Sequence, residues 1–109
     1  MRARHILPLL AMLLVGTAYA EALPVFRLEL NDGQLKPARL VVPAGKRFKI
    51  EIFNRGKTPV EFESLQLRKE KVLAPGAQSF VVFNPLSAGE YKFFDEFHMA
   101  TAQGVLVVK

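Results

Sequence analysis

The chain has no cysteine and no tryptophan, and only two histidines among its 109 residues. The missing thiol excludes disulfides, thiolate metal centres and a lipid-modified cysteine behind a leader, so an oxidising compartment is tolerated rather than exploited. No apolar run reaches the roughly 20 residues that a membrane-crossing helix requires; residues 6–15 form the longest one and fall well short. Glycine-rich phosphate loops are missing. Ser64, Ser79 and Ser87 stand in no nucleophile-elbow context, which argues against an ordinary hydrolase. Internal repeats, low-complexity tracts and amphipathic helical periodicity are also absent.

What is present begins with a leader. Arg2 and Arg4 precede the apolar run, and Ala18-Tyr19-Ala20 supplies a small-x-small cleavage site, so residues 1–20 are expected to be an export signal removed before Glu21. The expected destination is the periplasm of a Gram-negative cell. Losing Arg2 and Arg4 takes the formal net charge from +5 to +3. The remaining lysines and arginines alternate with glutamates rather than forming a stripe, so nucleic acid is not an expected partner. Residues 21–109 suffice for one small domain with a modest core and leave no room for two.

Short apolar runs are punctuated by proline, glycine and asparagine about every ten residues, the spacing of an all-β sandwich or barrel. Phe26, Leu28 and Leu30 alternate with Arg27 and Glu29 in a first strand, which Asn31-Asp32-Gly33 ends in a turn. Leu40-Val41-Val42 is a second. Phe48, Ile50 and Ile52 alternate with Lys49 and Glu51 in a third, closed by the polar segment from Asn54 to Pro59. Further strands are expected at residues 61–63, 70–73, 80–83, 91–94 and 105–108, which makes seven or eight. Eight of the nine phenylalanines fall in these fragments and are expected to supply the core.

The order of parts resembles a cupredoxin: Val42-Pro43-Ala44-Gly45, a strand ending at Asn54, a polar turn, Pro75-Gly76, then Gly89-Glu90-Tyr91-Lys92-Phe93 and a loop leading to Gly104-Val105-Leu106-Val107-Val108. More narrowly, Glu61-Phe62-Glu63-Ser64, Glu70-Lys71-Val72 and Phe93-Phe94-Asp95-Glu96-Phe97-His98 are similar to EfeO-type cupredoxin domains found with bacterial iron-uptake permeases. The resemblance implies a Greek-key β-sandwich and a metal site at one end. It also implies departure from blue copper. Asp95 stands at the cysteine position, His98 at the histidine position and Ala102 at the methionine position, while Val60 and Glu61 stand where the other histidine is expected. A blue-copper centre requires a copper–thiolate bond, so simple blue-copper electron transfer is excluded.

The candidate metal ligands are therefore Glu61, Glu63, Asp95, Glu96, His98 and Met99. Carboxylates with an imidazole suit iron, manganese, zinc or Cu(II) better than Cu(I). Glu61 and Glu63, two apart in a strand, project from one face with Phe62 on the other. The resemblance implies that they meet the segment from Asp95 to His98; spacing alone does not. Each residue also has a plainer role: the glutamates can be solvated, and Asp95 can cap its turn through backbone hydrogen bonds. The functions implied are copper or iron binding in support of iron uptake, with a membrane permease system as partner and assistance to Fe(II) oxidation as its most ambitious form. A copper or zinc carrier without redox role and a metal-free interaction module stay open, as do a monomer and a homodimer.

Overall fold

The computed structural model describes residues 23–109, so the export signal expected over residues 1–20 lies outside the described residues. Nine strands follow in order: β1 (Val25–Asn31), β2 (Gln34–Lys36), β3 (Arg39–Val42), β4 (Phe48–Asn54), β5 (Val60–Ser64), β6 (Lys69–Leu73), β7 (Gln78–Phe83), β8 (Gly89–Asp95) and β9 (Gln103–Val108). The only helical element among them is a single 3-10 turn, Glu96–His98. No helix among the described residues is long and apolar enough to cross a membrane.

Eight strands lie where alternation places them. The ninth, β2, has only Leu35 as an apolar residue and exists because the Asp32-Gly33 turn folds it back on β1, pairing Asn31 with Gln34 and Leu30 with Leu35. Both turn residues have positive φ, 45° at Asp32 and 97° at Gly33, the backbone of a two-residue hairpin that asparagine, aspartate and glycine favour.

The strands form two sheets, ordered β2-β1-β4-β7 and β3-β9-β8-β5-β6. Parallel pairing of β1 with β4 and of β3 with β9 ties distant parts of the chain together. Inward positions are apolar except at the strand ends, where Asn54, Ser64 and Asp95 are buried: Leu28, Leu30, Ile50 and Ile52 from the first sheet pack against Phe62, Phe93, Leu106 and Val108 from the second. Phe48 stacks on Phe83 with centroids 4.8 Å apart, and Phe62 tilts against Phe93 at 5.5 Å. Each buried phenylalanine contributes on the order of 2–3 kcal/mol of hydrophobic stabilisation, which substitutes for the missing tryptophan and disulfides. This core fixes the ends of β4, β5 and β8, and those ends carry the polar groups of interest.

Candidate functional site

At the carboxyl end of β8 the sequence changes from Phe93-Phe94 to Asp95, and the Asp95 side chain enters the protein. It is 0% exposed. Its Oδ1 accepts from the Glu61 amide at 2.9 Å and the Phe97 amide at 3.0 Å, and its Oδ2 lies 2.7 Å from His98 Nδ1. Asp95 thereby caps the 3-10 turn and fastens it to the start of β5. A carboxyl group this deeply buried is tolerated because its oxygens have such partners.

His98 passes the connection on. Its Nε2 lies 3.1 Å from Thr58 Oγ1, and that hydroxyl donates to Asp32 Oδ1 at 2.7 Å. Asp32 Oδ1 also accepts from the Lys57 and Thr58 amides. These donors, the Thr58 hydroxyl first and the Lys57 amide second, hold the Asp32 carboxyl below its ordinary range. Three loops are thus joined through Asp95, His98, Thr58 and Asp32. Asn54 braces the same region from below, donating to the carbonyls of Thr58 and Leu73 and accepting from the Gly56 amide.

The glutamates gather elsewhere on the same sheet. Phe62 faces the core, so Glu61 and Glu63 face outward, and the β5–β6 register sets Glu63 opposite Glu70. One carboxylate oxygen from each of Glu61, Glu63 and Glu70 falls within a group no more than 4.8 Å across. Partial burial is the first cause that raises the Glu61 carboxyl above its ordinary value; repulsion from Glu63 and Glu70 adds to it. Burial likewise raises Glu63, with Glu96 and Glu70 next. Like charges placed directly opposite destabilise a ladder, so this face is strained until a proton or a cation neutralises it.

The six residues singled out in the sequence therefore divide. Glu61 and Glu63 share a cluster, joined by Glu70 and with exposed Glu96 at electrostatic range. Asp95 and His98 lie in the hydrogen-bonded loops, with both carboxylate oxygens and both ring nitrogens already partnered. Met99 is 47% exposed and lines a neighbouring groove with Phe94. The Glu61 backbone amide, which donates to Asp95, links the two groups. Thr58 and Asp32 were not among the candidates: Asp32 carried only a turn signal, and Thr58 stood in a polar loop whose partner is 26 residues away.

Comparison with known proteins fits this architecture. A family model described as a cupredoxin-like domain matches residues 5–108. An uncharacterised protein of Rickettsia prowazekii is 33% identical over 82 residues, which cover 75% of this chain and 66% of that protein; the chain thus spans just under two thirds of its relative. The metal-binding domain of a Cu(I)-exporting P-type ATPase from Streptococcus pneumoniae superposes with a TM-score of 0.69 at 15% identity, covering 84% of this chain and 91% of that one. A purple cupredoxin from Nitrosopumilus maritimus gives 0.60 at 19% identity, over 77% and 99%. Auracyanin from Roseiflexus castenholzii gives 0.65 at 14%, over 82% and 99%. Such identities carry the fold alone. The residues here do not fit a blue-copper ion, because no thiol exists in the chain and Asp95 and His98 have spent their ligand atoms on one another and on Glu61, Phe97 and Thr58.

Proposed function

Given that the chain belongs to the cupredoxin-like domain family, we propose that it is an exported metal-binding protein whose cation sits on an all-carboxylate surface. The observation that carries this reading is the convergence of Glu61, Glu63 and Glu70 within 4.8 Å on the outer face of β5 and β6. Burial first, and mutual repulsion second, raise the glutamates' proton affinity; a cation there offsets the repulsion and competes with the proton, so metal binding and proton release are linked. Oxygen ligands select hard or borderline ions, which favours iron or Cu(II) over Cu(I). An all-oxygen shell offers Cu(I) nothing soft. That favours a carrier or buffer over an Fe(II)-oxidising accessory.

Resemblance of the Glu61 to Ser64 and Phe93 to His98 segments to domains found with iron-uptake permeases supports a role in iron acquisition. In that role the protein works in the periplasm and meets a membrane permease system or its soluble components. The Asp95–His98–Thr58–Asp32 connection serves as scaffold in this account, holding β5 at the height where its glutamates meet Glu70.

The test is calorimetric titration with Fe(II), Fe(III), Cu(II), Mn(II) and Zn(II). One saturable iron or Cu(II) site is expected, weakened about tenfold or more by Glu63→Gln or Glu70→Gln and retained by His98→Ala. Binding that ignores both glutamine variants contradicts the reading.

A further inference from the structure

The outer face of the five-stranded sheet carries a groove that the metal reading leaves unused. Glu63, opposite Phe94, is the last β5 residue in the ladder with β8, so the earlier part of β8 has no strand neighbour on that side. Side chains stand in for it. Gln66 Oε1 accepts from the Lys92 amide at 2.9 Å, and Ser64 Oγ donates to the Lys92 carbonyl at 2.8 Å. With both backbone groups of Lys92 satisfied, an added strand finds no backbone partner at this residue. It is a trough between the turn after β5 and the loop bearing Met99.

The trough has two chemically different ends. One, about 420 Å³, is walled by Leu65, Phe94 and Met99. Leu65 and Met99 are 69% and 47% exposed, two apolar side chains left uncovered among the described residues. The other, about 670 Å³, is bordered by Arg39, Glu90 and Val105. Gln66, Lys92 and Gln103 line both ends, so the trough is continuous. Its walls are held in place: Gln66 by the Lys92 amide, and Gln103 by donating to the Met99 carbonyl at 2.8 Å. A wall already ordered loses little entropy when a ligand arrives.

Charge chooses the occupant. Arg39 and Lys92 face one carboxylate, Glu90, and the Arg39–Glu90 contact is 4.0 Å long between side chains 61% and 65% exposed. So loose a pair holds Arg39 weakly. Among the described residues, Lys92 forms no ion pair. None of the clustered glutamates lines either end. Volumes of this size suit a small ligand, and a few polar groups beside an apolar wall set its orientation. We infer that the trough binds an amphipathic monoanion, with a carboxylate head at Lys92 and Arg39 and an alkyl body across Phe94, Leu65 and Met99. The inference stands apart from the metal reading.

Decanoate titrated calorimetrically into the purified protein tests it, with acetate and decyltrimethylammonium as the head-only and opposite-charge probes. One decanoate per chain is expected, with no heat from acetate and binding of the cationic probe weaker by about tenfold or more. Lys92→Glu and Leu65→Asp should each weaken decanoate about tenfold, while Phe80→Ser on the other sheet leaves it unchanged. Both altered residues are exposed, and circular dichroism confirms folding; Lys92→Gln replaces Lys92→Glu where the latter unfolds. Equal binding of the two decyl probes, indifference to the Lys92 substitution, or no saturation by decanoate overturns the proposal.

Discussion

Replacing Asp95 by alanine should be among the most damaging single changes available to this protein. The substitution removes the acceptor of two amides, at 2.9 and 3.0 Å, and of the His98 ring nitrogen at 2.7 Å, from a position with no exposure. Hydrogen bonds to a charged group contribute about 1.5–3 kcal/mol each, and a buried donor left without partner costs about 1–3 kcal/mol. These terms overlap, and a net loss of about 3–5 kcal/mol is expected. Asp95→Asn keeps an oxygen for the two amides but turns an NH2 group toward His98 Nδ1, so about 1–2 kcal/mol is expected from that variant. Urea unfolding reads both. With a slope of about 1 kcal/mol per molar for a domain of this size, the alanine midpoint should fall by about 3–5 M, if the variant folds at all. A loss below about 1 kcal/mol for alanine, or equal losses for the two variants, would refute the role given to the buried carboxylate.

Four further outcomes follow from the same geometry. Thr58→Val, close in shape, removes the hydroxyl that joins Asp32 to His98 and should cost about 0.5–1.5 kcal/mol in urea unfolding; no change would mean the loops are held by packing alone. Because the Asp32 carboxyl is depressed, its contribution is present above the ordinary value of 3.8 and is lost as pH falls through the lower folded value, so Asp32→Ala should flatten the acid limb of the stability curve. Glu61 and Glu63 have the opposite sign: their contribution is present below 4.5 and is lost as pH rises through the raised folded values. The metal-free protein should therefore melt higher near pH 4 than near pH 7 relative to a Glu61→Gln/Glu63→Gln double variant, and parallel melting curves would contradict this. Gly104→Ala places a methyl group 2.6 Å from Phe93 Cζ and 2.9 Å from the Ala38 carbonyl, and should cost about 1–3 kcal/mol by thermal melting.

Much of the sandwich was legible because its strands are half-buried. Phe48, Ile50 and Ile52 alternate with charge, and period 2 names both strand and buried face. β2 was not legible as a strand, because three residues with one apolar side chain carry no period; only the Asp32-Gly33 turn pointed to it. Period 2 also placed Glu61 and Glu63 on one face. The third member, Glu70, depends on the register of β6 against β5, which no local pattern encodes. The Thr58–Asp32 bond spans 26 residues and that of His98 to Thr58 spans 40, so each arises only once two sheets have brought separate loops to one end.

The cation surface can be mapped most directly by adding substoichiometric Cu(II) to nitrogen-15-labelled protein and following amide signals one by one. Paramagnetic broadening is expected first at Glu61, Glu63 and Glu70, leaving Gly45 and Ser87 sharp, and is expected to disappear in Glu63→Gln. Broadening that is uniform along the chain, or that persists unchanged in that variant, contradicts a metal held by these three carboxylates.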